Sequence, residues 1–148
     1  MAKQIIWFDN DPAYINPYVN ALAEEGYGVY VAETVTEAEE ALTANRYDLL
    51  ILDAMIPTKN EEEEEKFPPE ETDRGLKMGL IFYKHWKEAL DRAGTRVLAI
   101  TVRIDETIQN EFMKLGLPPE GFARKTKIKR VQDVMQRVKA LIGDAQSG

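Results

Sequence analysis

Residues 47–57 read Tyr47-Asp48-Leu49-Leu50-Ile51-Leu52-Asp53-Ala54-Met55-Ile56-Pro57. Leu49 to Leu52 is an apolar run of the length of a fully buried strand. It delivers one carboxylate, Asp53, to its C-terminal end, and Pro57 follows shortly after. An aspartate held in that way can serve as a nucleophile or as a metal ligand.

Working outward, the chain alternates between strand and helix patterns. Gln4 to Phe8 is a short apolar run closed by Asp9-Asn10-Asp11-Pro12. Val19, Leu22 and Ala23 then recur on one helical face, with Gly26 as the stop and Pro17 placed as the first helical residue behind Asn16. Gly28 to Ala32 reads as a strand. Thr36 to Leu42 reads as a helix capped by Thr34 or Thr36. After the Asp53 strand comes a helix over about 75–90, with Leu76, Leu80, Tyr83 and Trp86 on its buried face and Gly94 beyond its end. Arg96 to Thr101 is a strand, Asp105 to Leu115 a helix, and Gly121 to Lys125 a short strand. Ile128 to Ile142 closes the series as a helix. The pattern is (βα)5. It predicts an α/β fold with a parallel sheet covered by helices on both faces, in the flavodoxin-like strand order 2-1-3-4-5.

Residues 58–74 break the rhythm. They hold eight acidic and three basic residues, including the run Glu61 to Glu65. Composition predicts a flexible, solvated surface loop that packs against nothing. The expected domain is residues 1–143 with this loop as an insertion, and residues 144–148 form a flexible tail.

The chain has 148 residues, 44% of them hydrophobic, a net charge of −7 and no cysteine. That suits one domain with one core and leaves no thiolate chemistry. No apolar run is long enough to span a bilayer, and no signal peptide is evident. A cytoplasmic location is the expectation. The acidic balance argues against direct nucleic-acid binding, which needs a basic surface. His85, the single histidine, falls on a helix next to Trp86 and reads as half-exposed. Trp7 reads as core.

Ligands of open parallel sheets bind beyond the C-terminal strand ends. There this sequence places Asp9, Asn10 and Asp11 after strand one, Asp53 after strand three, Thr101 after strand four and Lys125 after strand five. Carboxylates gathered from neighbouring strands repel, and Mg²⁺ relieves that repulsion through oxygen ligands. Lysine supplies a point charge for an anion, and threonine supplies a hydroxyl. The set describes a phosphoryl-transfer site with Asp53 as nucleophile.

These segments resemble the receiver domain of two-component response regulators, over nearly the whole chain. The resemblance rests on Ile5 to Asp11, Tyr47 to Pro57, Val97 to Thr101 and Gly121 to Lys125. It implies that Asp53 is the phosphoacceptor, charged by a histidine kinase or a histidine phosphotransfer protein. It implies a Mg²⁺ site of Asp9, Asn10, Asp53 and the backbone carbonyl of Met55. Thr101 and Lys125 would bind the phosphoryl group, and Thr101 and Phe122 would form the switch. Three positions depart from the family pattern. Asn10 replaces the usual second acid, which implies weaker Mg²⁺ binding. Thr126 replaces the usual proline after the lysine, and a non-proline cis bond costs about 3 kcal/mol, so a trans bond is expected. The acidic segment lengthens a loop that is normally short.

The expectation is therefore a stand-alone phosphorelay receiver and not a metabolic enzyme, with output through a downstream protein target. The alternatives are a receiver-like interaction module that is never phosphorylated, an aspartate phosphatase or a flavin protein. Met55 opposes the phosphatase, which would want a second aspartate there. The acidic turn after strand one opposes a flavin phosphate loop.

Overall fold

The apolar runs of the sequence become strands, and the three central ones show no polar alternation because they are buried on both faces. The computed structural model describes residues 2–72, 77–101 and 106–146. Its strands are β1 (Gln4–Phe8), β2 (Gly28–Ala32), β3 (Leu49–Asp53), β4 (Arg96–Thr101) and β5 (Phe122–Arg124). All pair in parallel in the order β2-β1-β3-β4-β5, as expected from the sequence.

The helices are α1 (Pro12–Glu24), α2 (Val35–Ala44), α3 (Glu61–Lys66), α4 (Pro69–Thr72), α5 (Met78–Ala93), α6 (Glu106–Lys114) and α7 (Val131–Ile142). Alternate strand residues feed two cores. Ile5, Trp7, Leu49, Ile51, Leu98 and Ile100 pack under α1 and α7. Ile6, Phe8, Leu50, Leu52, Val97 and Ala99 pack under α2, α5 and α6. No helix among the described residues is long and apolar enough to cross a membrane.

Helix α1 starts at Pro12, not at Pro17. Asp11 Oδ1 accepts the Tyr14 N–H at 3.2 Å, which caps the helix. Pro12 takes the first helical position, where its missing N–H costs nothing. Pro17 lies inside the helix and is exposed. In α2 the cap is Thr34, whose side chain accepts from the Glu37 N–H at 3.1 Å. Helix α5 buries Leu80 and Tyr83 and leaves Trp86 half-buried, and Gly94 ends it at φ +72°. The expected start of α5, with Gly75 and Leu76, lies outside the described residues, as does Asp105 before α6. β5 is shorter than expected, and Lys125 falls just beyond it in a 3₁₀ turn, Lys125–Lys127. His85 is exposed, with its ring 4.9 Å from that of Phe67. Trp7 is core.

The acidic segment is not the loop that composition suggested. It carries α3 and α4, and Glu63 and Phe67 are 2% and 1% exposed. Asn60 caps α3 by accepting the Glu63 N–H at 2.9 Å. Four glutamates in the first turn suit the positive end of the helix. Glu63 turns inward, where Oε2 accepts the Thr36 O–H and N–H at 2.7 and 3.1 Å and Oε1 accepts the Lys59 N–H at 2.8 Å. Phe67 stacks on Phe82. Glu39 of α2 accepts from Lys66 and from the Trp86 indole, which ties α3 and α5 to the same side chain. A buried carboxylate is tolerated here because donors surround it.

The C-terminal segment also departs from expectation. Ala145 is 4% exposed in the α1–α7 core, and its carbonyl accepts the Lys3 N–H at 2.9 Å.

Candidate functional site

The C-terminal ends of β1, β3, β4 and β5 meet along one edge of the sheet. Phe8 pairs in register with Leu52, Asp53 with Ile100, and Thr101 with Arg124. Asp9 therefore emerges level with Asp53, Thr101 lies one residue further along β4, and Lys125 follows β5 two residues beyond that level. Asp9 and Asp53 are 2% and 6% exposed, and Thr101 is fully buried.

The two carboxylates are held differently. Asp9 Oδ1 accepts the Asp11 N–H at 2.9 Å. Asp53 Oδ1 accepts the Met55 N–H at 3.0 Å, and Lys125 Nζ donates to Asp53 Oδ2 at 3.1 Å. Burial, followed by the negative charge of Asp53, pushes the Asp9 carboxyl up to about 6; the Asp11 N–H and Lys125 act in the opposite direction. The acid pair is thus short of positive charge even with Lys125 in place.

Of the residues singled out from sequence, the structure brings Asp53 and Lys125 into contact, with Asp9 next to them. Asn10 and Asp11 are exposed, and Asp11 spends its carboxylate on the α1 cap. Met55 is half-buried and offers its N–H to Asp53. Phe122 is buried against Phe112 with ring centroids 5.9 Å apart, and its carbonyl accepts from Arg137 at 3.5 Å. No peptide bond among the described residues is cis, and the residue after Lys125 conforms to that.

An oxygen-ligand cation fits this donor set. Asp9 and Asp53 supply buried carboxylates whose mutual repulsion a cation relieves. Among the described residues no group of three or more acidic, histidine or cysteine side chains is arranged to hold a metal. The pocket therefore offers two charges rather than three.

Two residues at the site were not identified from sequence. The Tyr14 ring lies under Lys125 Nζ, 4.6 Å from the ring centroid. Burial and neighbouring Tyr18 push the Tyr14 phenol up to about 12, so it stays neutral. The signal was the Asp11-Pro12 pair, which starts α1 early enough to put Tyr14 in its first turn. The second is Gly79, on the first turn of α5. Its N–H donates to the Ala54 carbonyl at 3.1 Å, and a Cβ there would press on the Asp53 carbonyl and lie 2.7 Å from Ala54 Cα.

No protein-family model matches the chain, and no curated protein matches it. Solved structures do. A response regulator from Thermotoga maritima superposes with a TM-score of 0.70 at 19% identity, over 97% of this chain and 100% of that one. A CheY-like response regulator receiver domain protein from Methanospirillum hungatei JF-1 gives 0.71 at 17% identity, over 95% and 93%. The chemotaxis response regulator CheY4 of Vibrio cholerae gives 0.70 at 16% identity, over 95% and 99%. With the same strand order and nearly complete coverage, the chain has the fold of a CheY-like response-regulator receiver domain.

Proposed function

We propose that residues 1–143 form a receiver that accepts a phosphoryl group on Asp53. The observation that carries this is the contact between the Lys125 ammonium and the buried Asp53 carboxylate, with a second buried acid beside them. The donor is a phosphohistidine of a kinase or phosphotransfer protein, or a small acyl phosphate. An Asp53 oxygen attacks phosphorus, and the new O–P bond forms as the bond to the leaving imidazole or carboxylate breaks. The leaving group keeps the electron pair. Lys125 exchanges the Asp53 oxygen for a phosphoryl oxygen, and the Thr101 hydroxyl bonds another.

The residues that would hold Mg²⁺ are Asp9, Asp53, the Met55 carbonyl and the Asn10 amide. When bound it supplies positive charge against the developing charge on the phosphoryl oxygens. With one carboxylate fewer, its affinity is below that of an all-acid pocket. Phosphorylation adds about two negative charges at Asp53. Thr101 and Phe122 respond, and the surface around β5 changes population and binds a downstream protein. The protein is a cytoplasmic signalling component and not a metabolic enzyme.

Incubation with Mg²⁺ and acetyl phosphate, followed by intact-mass measurement, tests this. The wild type should gain one phosphoryl group and Asp53→Asn none. The pocket of only two carboxylates favours one other reading, an interaction module that is never phosphorylated. Absence of label and of a beryllofluoride adduct in the wild type would establish that reading instead.

A further inference from the structure

We propose that Tyr14 is a positioning residue that holds the Lys125 ammonium against Asp53 through the face of its ring. This rests on the reading of Asp53 as phosphoacceptor and deepens it.

Three observations converge. Lys125 Nζ is 3.1 Å from Asp53 Oδ2 and 4.6 Å from the Tyr14 ring centroid, so one ammonium bridges a carboxylate and an aromatic face. The ring is itself fixed from the acidic turn. Asp9 Oδ1 accepts the Asp11 N–H, and Asp11 caps the helix at Tyr14. Behind it, Tyr14 leans on Tyr18 at 5.8 Å, and Tyr18 on Trp7 at 6.1 Å. The Tyr18 hydroxyl also reaches the carbonyls of Ile128 and Lys129, both at 3.3 Å. Helix α1 thereby grips the segment that follows Lys125 at two points.

The physical need is plain. A lysine head on a four-carbon stem has many rotamers, and ordering it costs entropy at the moment it must meet a phosphoryl oxygen. An aromatic face attracts the ammonium without competing as an anion. It restrains Lys125 while leaving it free to change oxygen partners. The backbone adds little restraint, since Lys125 opens a single 3₁₀ turn, Lys125–Lys127.

The test uses Tyr14→Phe, Tyr14→Leu and Tyr14→Met, each with Lys125 and with Lys125→Ala. The first readout is the initial rate of labelling by acetyl phosphate. Tyr14→Phe should label like wild type, and Tyr14→Leu and Tyr14→Met about three- to tenfold more slowly. In the Lys125→Ala background the Tyr14 changes should have no further effect. Equal slowing in both backgrounds means a structural role and overturns the proposal, as does unaltered labelling in Tyr14→Leu and Tyr14→Met. The second readout is the ¹H–¹⁵N signal of the Lys125 ammonium, which survives only where the head is held. It should persist in Tyr14→Phe and vanish in Tyr14→Leu, and its persistence in Tyr14→Leu overturns the proposal. If the wild type takes no phosphoryl group, the phosphoacceptor reading falls, and the ammonium signal alone decides whether Tyr14 positions Lys125.

Discussion

Asp9 is buried beside a second acid, and its carboxyl titrates near 6 rather than at its ordinary 3.8. Between those values the native state holds more protons than the unfolded chain, so stability falls as pH rises through the window. Above about 6 the ionised Asp9 costs roughly 3 kcal/mol, the equivalent of its shift. Asp9→Asn should therefore resist urea better than the metal-free wild type at pH 7, by about 1–3 kcal/mol. The two should converge near pH 4. Failure of the curves to diverge on the alkaline side would show that Asp9 is solvated. The same substitution should weaken Mg²⁺ binding, read by quenching of Trp7 fluorescence. That Asp9, Asp53 and Lys125 lie together was legible because each stands at the C-terminal end of an expected strand. Tyr14 was not, because an aromatic residue in a helix looks the same whether it meets core or an ammonium. Pro17 added to this by suggesting a helix start past Tyr14.

Among the elements, α3 shows where composition misleads. A run of glutamates reads as solvated, yet a helix directs some position of every turn inward. Here that position is Glu63. Burial alone would raise its carboxyl, but hydrogen bonds from the Lys59 N–H and from Thr36 outweigh it and hold it below the usual 4.5. A lowered carboxyl adds stability that is present above its unfolded value and lost as pH falls through its folded one. Acid therefore loosens α3 while it relieves Asp9. Glu63→Ala should destabilise by about 2–3 kcal/mol. Hydrogen exchange should rise over residues 59–67 first, and unchanged exchange there would mean that α3 is held by Phe67 alone. Helix α5 bears on the site through Gly79. Gly79→Ala presses a methyl group onto the Asp53–Ala54 backbone, which has no flexible end to yield. We expect a loss of about 2–4 kcal/mol, since overpacking against backbone is poorly relaxed. Labelling of Asp53 should drop even in the fraction that folds, and full labelling would show that α5 moves instead.

Across the whole molecule, the five apolar runs and their helical partners were enough to read the sheet order, because only a few right-handed topologies connect alternating strands and helices. The closure of the chain was not readable. Too few residues follow α7 to show a period, yet they bind the two ends together. Lys3 and Ala145 share a backbone hydrogen bond, and the Tyr27 hydroxyl reaches the Gly143 carbonyl at 2.6 Å. Deleting residues 144–148 removes the buried Ala145 and orphans the Lys3 N–H. It should lower the urea midpoint by the equivalent of about 1–2 kcal/mol. An unchanged midpoint would return these residues to the role of a tail.

The Gly79–Ala54 hydrogen bond has a consequence for chain length. The chain leaves Asp53 through Ala54, passes through α3 and α4, and returns at Gly79, whose N–H donates to the Ala54 carbonyl. The excursion is a closed loop with both ends clamped next to Asp53. Loop closure entropy grows only logarithmically, about 0.6 kcal/mol for each doubling of length. Extra length between α3 and α5 thus costs little so long as Glu63 and Phe67 keep their buried contacts. The clamp insulates the geometry of Asp53 from whatever the loop carries.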